Sequence, residues 1–456
     1  MKITKFAPYY KRNLKLAFPI ILGQFGQVTV SLVDTLMVGR LGTRELASVA
    51  FANSIFLLIF IFVLGFSLGL TPLIGSAFGK KQSRKIALLF QNAFLLNLLL
   101  SIAILIITLL LKPLLYRLGQ DEEIVTMCIP YFDSLLFSLI PVSVFFACRQ
   151  FGEGIGNTKM AMWITLTGNV LNIILNYLLI YGKCGFPAMG VTGAGIATFI
   201  VRMFMALTFL LVIWKHTVFK TYLHYLSWSN FKKIALFKLI KLGFPISGQL
   251  VVEVLAFSFS AVMVGWIDGI NLAAHQIVLQ MASATFMLAL GVASATTIRI
   301  SHQFGGKHYR ATKFAARAAL HIVILFMSLT ATCFIVFRHQ IPTLFTTDTQ
   351  VIAIAAQLLI IAGFFQIFDG VQAVGLATLR GLADVRIAMY IAIFSYIFIS
   401  LPLGYLFAFV FNWGTQGIWT GLAIGLGFAA ILYRLRFLYY MKKVNTLNEY
   451  ILRTLL

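Results

Sequence analysis

Lys15-Leu16-Ala17-Phe18-Pro19-Ile20, near the start of the chain, returns as Lys241-Leu242-Gly243-Phe244-Pro245-Ile246. The same shift of 226 positions carries Met37-Val38-Gly39 onto Met263-Val264-Gly265, Leu46-Ala47 onto Leu272-Ala273 and Gly65 onto Gly291. It also carries Phe78-Gly79, Lys81 and Arg84 onto Phe304-Gly305, Lys307 and Arg310. One gapless register held over about seventy residues marks an internal duplication.

Each copy is built from long apolar runs separated by short polar breaks. A spanning helix needs about 20 such residues, and a soluble chain carries charge on about a quarter of its positions. Here 60% of 456 residues are hydrophobic, 11% are charged and the mean hydropathy is +0.95. Spans are expected near 14–38, 46–76, 86–111, 124–148, 160–181, 190–214, 240–264, 272–298, 312–337, 350–378, 387–410 and 415–440. Period-2 barrel strands do not fit runs of this length. The reading is an all-α polytopic membrane protein with twelve transmembrane helices in two six-helix pseudo-symmetric lobes. An even number of spans per repeat gives the lobes one orientation, with a central cleft between them. The N-terminal lobe is expected over residues 1–214, a basic cytoplasmic linker over 215–239 and the C-terminal lobe over 240–456.

The formal charge of +23 would suggest nucleic acid in a soluble protein, but the basic residues fall in loops between apolar spans. They crowd on one side, in Lys2 to Lys15, Lys80 to Lys85, Lys215 to Lys241, Arg299 to Arg317 and Arg434 to Lys443. The positive-inside rule makes that side cytoplasmic, with both termini on it. No nucleic-acid partner is expected, membrane lipid is the surroundings, and the protein is expected to act as a monomer. The basic N-terminus reads as part of a retained first helix, because its apolar run carries Asp34 and shows no small-residue cleavage site. Cys128, Cys148, Cys184 and Cys333 have no metal or disulfide spacing and are expected to be packing residues.

Of 13 acids, Asp34, Glu253 and Asp369 sit inside apolar runs. A charge at a helix centre costs about 2.5–3.5 kcal/mol on insertion scales, so such groups are paired, protonated or facing a cavity. No Lys or Arg lies a turn away to neutralise them. Glu253 and Asp369 fall at depths that bring both toward the midplane, where two carboxylates form a trap for a proton or a small cation. Gln249, one turn before Glu253, is placed to orient it. In the first repeat Asn172 and Asn176 share a helix face, with Asn169 a turn earlier, and Asp34 and Thr198 can converge on them. Such a carboxylate, amide and hydroxyl set suits Na+ or a proton-dependent cluster; interhelical polar glue is the structural alternative. His275 beside Gln276 is a titratable candidate whose ordinary role would be packing. Asp133 is read as interfacial or cavity-facing. The duplication does not repeat the acids: Asp34 corresponds to Ser260, and Glu253 to Gln27.

These stretches together resemble the multidrug and toxic compound extrusion (MATE) family, in its NorM-type bacterial branch, over nearly the whole chain. The resemblance is carried by Pro19 to Gln24 with Val33 to Gly42, Ala77-Phe78-Gly79-Lys80-Lys81, and Gly152-Glu153-Gly154-Ile155-Gly156-Asn157-Thr158. It is carried too by Asn172-Ile173-Ile174-Leu175-Asn176, Gly193 to Thr198 and Ala273-Ala274-His275-Gln276-Ile277. It implies an antiporter in the bacterial inner membrane, driven by Na+ or H+, with no other cofactor. Its substrates would be diverse, often lipophilic and cationic drugs or toxic organic compounds. It also implies that Glu253 and Asp369 form the cation site of the C-terminal lobe, and that Asp34, Asn172, Asn176 and Thr198 serve the N-terminal lobe. Some relatives carry a phenol where Phe365 stands, which here offers a π-face and no oxygen, and some carry an acid at Asn176.

The rival within the same superfamily is a lipid-linked oligosaccharide flippase, which would need a basic cavity, whereas the intramembrane charges are mainly acidic, Arg202 excepted. No H-E-x-x-H or G-x-S-x-G pattern suggests an enzyme.

Overall fold

The duplicated sequence folds into duplicated backbone. The computed structural model describes residues 5–227 and 231–455. Among them, twelve helices are long and apolar enough to cross a membrane. They are α1 Ala7–Gly39, α2 Thr43–Gly79, α3 Ser83–Arg117, α4 Glu122–Gly154, α5 Lys159–Tyr181, α6 Gly190–Lys215, α7 Lys233–Gly265, α8 Gly269–Gly305, α9 Tyr309–Val336, α10 Thr349–Gly381, α11 Val385–Val410 and α12 Thr415–Val444. Every expected span is present, and no strand occurs among the described residues. The helices run past the expected ends where charged residues had closed the apolar window: α7 begins at Lys233 and α8 continues through Arg299. The expected linker holds a short helix, Thr217–Leu223, capped by the His216 side chain; its residues 228–230 lie outside the described residues.

The 226-residue register extends to hydrogen bonds. At the turn after α2, Gln82 N donates to Ala77 O at 3.0 Å; after α8, His308 N donates to Gln303 O at 2.9 Å. Both are six-residue closures of a helix C-terminus, and both place a lysine in the left-handed region, Lys81 at φ 57° and Lys307 at φ 61°.

The chain divides into two compact units, one comprising Met1–Ile21 with Gly248–Leu456, the other Leu22–Ser247. The division therefore falls inside α1 and α7 rather than in the linker, at Ile21 and Ser247, which are themselves 226 positions apart. Packing explains this. In the unit containing residues 22–247, Gly243 and Gly69 approach so closely that a Cβ on Gly69 would lie 2.9 Å from the Gly243 nitrogen, and Ser247 Oγ donates to Phe62 O at 2.8 Å. In the other unit Ala17 is buried with Ala289, Val292 and Ala295, and Asn13 Nδ2 donates to Ala315 O at 3.1 Å. Pro19 and Pro245 lie two residues before the two crossings, each removing a hydrogen bond from its helix interior.

Within the 22–247 unit a phenylalanine core forms around Phe132, Phe145, Phe146 and Phe151, with Phe90 stacked on Phe151 at 4.4 Å. Asp133 is not a free cavity acid, because Lys112 Nζ binds its two oxygens at 2.9 and 2.7 Å. In the other unit α11 contains two π-helical stretches, Phe394–Ser400 and Leu406–Val410, and packs closely on α12. The closeness depends on Gly421, which meets the backbone of Gly404 and would place a Cβ 2.9 Å from the Ser400 carbonyl. Of the cysteines, Cys128 and Cys148 are buried as expected, but Cys184 and Cys333 are exposed and do not serve as packing residues.

Candidate functional site

In the unit built mainly from the second repeat, Glu253 on α7 is held from two sides. Gln249, one turn earlier on the same helix, donates Nε2 to Glu253 Oε2 at 2.8 Å. Tyr396, in the first π-helical stretch of α11, directs its hydroxyl to the same carboxylate and accepts from Gln372 Nε2 at 3.5 Å. A π-turn shifts side chains off the regular helix face, a feature frequent at functional positions. Here it supplies the phenol that Phe365 lacks.

The Arg380 guanidinium, partly buried near the end of α10, donates to Gln249 Oε1 and acts electrostatically on Glu253. No Lys or Arg lies a turn away from this acid on its own helix, as the sequence shows; the cation arrives instead from another helix, through the amide of Gln249. Asp369 lies 6% exposed on α10, within electrostatic reach of Glu253. Its Oδ1 is buried with no hydrogen-bond donor among the described residues. A buried acceptor left without a partner costs about 1–3 kcal/mol, more when charged, which sets this oxygen apart from the bonded oxygens of Glu253.

An aromatic wall borders the two acids. His275 Nδ1 faces Trp419 Nε1 at 3.1 Å, and Trp419 lies edge-on to Phe365, with centroids 5.2 Å apart. Phe365 meets Phe257 at 6.1 Å, which in turn meets Tyr396 at 6.2 Å. Phe365 and His275 are thus joined by a chain of ring contacts to Tyr396, and through it to Glu253. Gln366, which accepts from Thr285 Oγ1 at 2.9 Å and leaves Nε2 buried without a partner, was not singled out by sequence, although it stands three residues before Asp369.

In the unit built mainly from the first repeat, Asp34, Asn172 and Asn176 do converge. Asn176 Nδ2 donates to Asp34 Oδ1 at 2.5 Å and to Asn172 Oδ1 at 3.1 Å, leaving Asn176 Oδ1 buried and unpartnered. Asn169 is packed against Gly26 of α1 with its Nδ2 buried. Thr198 instead returns its hydroxyl to Ala194 O of its own helix at 3.0 Å. Two residues that the sequence reading did not place here join the cluster: Tyr131 and Arg202 both interact electrostatically with Asp34. Arg202 lies over the rings of Phe56 and Phe60, 5.0 and 5.2 Å from their centroids, and donates to Ser138 Oγ at 2.6 Å. Aromatic faces and one hydroxyl keep this guanidinium satisfied without a direct carboxylate contact. Each unit thus places an arginine within electrostatic reach of an acid inside a spanning helix, on unrelated residues. Among the described residues there is no group of three or more His, Cys, Asp or Glu side chains arranged for a metal ion.

A duplicated bundle of twelve apolar helices with acids and amides gathered at depth in each unit defines a polytopic membrane transporter. Comparison with known proteins then gives the family. The MatE family model matches residues 19–178 and 245–406, once per repeat, and the chain belongs to that family. It is 32% identical over 443 residues to a probable multidrug resistance protein NorM of Rhizobium meliloti, covering 96% of this chain and 95% of that protein. It is also 32% identical over 439 residues to the multidrug resistance protein NorM of Vibrio cholerae, covering 94% and 95%. Among solved structures, an outward-facing multidrug resistance MATE family transporter matches with a TM-score of 0.88 at 22% identity, over 95% of this chain and 97% of that one. The eukaryotic MATE transporter AtDTX14 matches at 0.85 and 20%, over 94% and 95%. These likenesses bear out the resemblance and the all-α fold.

Proposed function

We propose that this MatE family member is a multidrug efflux antiporter of the bacterial inner membrane, with both termini cytoplasmic. It exports diverse, often cationic organic compounds in exchange for Na+ or H+. The observation that carries the reading is the pair Glu253 and Asp369. One carboxylate is held by Gln249 and Tyr396, and the other keeps an empty buried oxygen.

Entry of the coupling ion at this pair removes negative charge from the site and lowers its attraction for a cationic substrate. Ion and substrate then favour different states of one protein, and reciprocal coupling converts an inward ion gradient into export. The cluster of Asp34, Asn172 and Asn176 is a second ion-responsive position, poised against Arg202. The aromatic side chains around the acids supply polarizable contacts suited to lipophilic cations. The names of the relatives at 32% identity support drugs as the substrate class.

The test is uptake of ethidium into proteoliposomes under separately imposed Na+ and proton gradients. Accumulation driven by one of them supports antiport and names the ion. Transport indifferent to both gradients refutes the reading.

A further inference from the structure

Arg299 belongs to neither acid cluster. It lies on α8 six residues before the helix ends at Gly305, about 9 Å along the axis, which is headgroup depth if that end meets the membrane surface. It is 8% exposed, and its Nε and Nη2 are buried with no hydrogen-bond partner. The charge acting on it is that of another cation, Arg12 on α1, with Tyr9 beside them. Asn13, 1% exposed, leaves its Oδ1 unpartnered while its Nδ2 is used on Ala315 O.

Among the described side chains no free acid lies beside Arg299. Tyr9 stacks on Phe314 at 5.5 Å, and Phe304 meets Tyr440 at 6.0 Å, so the start of α1, the end of α8, the start of α9 and the late part of α12 form one end of this unit. Arg317 and Arg434 add two more interacting positive charges there. Among the described side chains the acid at this end is Asp384, and it is bound to Arg436 at 2.7 Å. A buried guanidinium facing another cation is unfavourable unless an anion bridges them.

We propose that Arg299 and Arg12, with Asn13 at the edge, form a binding site for a phosphate-class anion, presented by the headgroup of an acidic membrane lipid. A phosphodiester supplies the charge and the acceptor oxygens that Arg299 Nε and Nη2 lack, in the geometry guanidinium binds best. Its glycerol hydroxyl, in a lipid such as phosphatidylglycerol, can donate to Asn13 Oδ1. Basic pockets between spanning helices on the cytoplasmic side are suited to such headgroups.

The experiment is thermal unfolding of the full-length protein in an uncharged detergent. Phosphatidylglycerol, phosphatidylcholine or inorganic phosphate is titrated into wild type, Arg299→Gln and Arg12→Gln. Arg12 is exposed, so its variant keeps the test valid if Arg299→Gln unfolds. Phosphatidylglycerol should stabilise the wild type saturably, phosphatidylcholine should not, and each variant should need at least about tenfold more lipid for the same shift, as loss of one charge-assisted bond implies. An equal shift from inorganic phosphate alone, lost in the same variants, would assign the site to a free anion. Identical titrations in wild type and both variants, or no response to any anion, overturn the proposal.

Discussion

Replacing Arg380 by Met tests whether the internal cation controls the ion site. The guanidinium reaches Glu253 through one amide, by the Arg380–Gln249 bond and the Gln249–Glu253 bond of 2.8 Å. That places the charges about 6–7 Å apart; at an effective dielectric of about 20 they attract by about 2.5 kcal/mol. Arg380 thus competes with any incoming cation for Glu253. Removing it should tighten half-saturation by the coupling ion between about tenfold and seventyfold, the range spanned by half and all of that energy. Release should slow in proportion, so that maximal export falls while ion affinity rises. Met keeps much of the buried volume and leaves no charge to desolvate, so folding is expected to survive. The assay is ion-dependent ethidium transport in proteoliposomes, with Arg380→Lys as control, which retains the charge and should stay within about threefold of wild type. Unchanged or weakened ion affinity in a folded Arg380→Met protein would refute the reasoning.

Other outcomes follow from the same geometry. Asp34→Asn keeps the shape of the N-terminal cluster but removes its charge beside Arg202; export should fall at least about tenfold, read as ethidium efflux, while thermal stability stays within a few degrees of wild type. Gly421→Val forces a side chain into the backbone of Gly404 and the Ser400 carbonyl, and should cost about 3 kcal/mol or more, seen as a lowered melting temperature. Cys184 is exposed in the turn between α5 and α6. In a Cys333→Ser background it should react with an impermeant maleimide added outside intact spheroplasts; labelling only after lysis would reverse the proposed orientation.

The spans were legible because lipid imposes one rule on all of them, and the 226-residue register made the architecture legible from six residues. The inner charges were harder to read. Arg380 stands 127 positions from Glu253 at the end of α10, where an apolar window closes, so it resembled a loop residue. Tyr396 reaches Glu253 from a π-helical turn, which no 3.6-residue pattern anticipates. Arg202 was visible as an isolated intramembrane cation, but its seat on Phe56 and Phe60 depends on a helix far away in sequence. Asp34, Asn172 and Asn176 were legible since a four-residue spacing fixes one helix face, whereas Thr198 bonds back to its own helix, a choice that spacing does not determine. The unit boundaries inside α1 and α7 are set by small residues such as Ala17 and Gly243, whose close approaches show only in the packed chain.

In the proposed function Glu253 and Asp369 exchange a coupling ion for the exported compound. The most direct test is counter-movement: an outward ethidium gradient is imposed on proteoliposomes, and the Na+ or H+ that moves inward is measured for wild type and Asp369→Asn. Ethidium-dependent ion flux is expected in wild type and none in the variant, even though the variant remains folded. Undiminished ion flux in Asp369→Asn would contradict it.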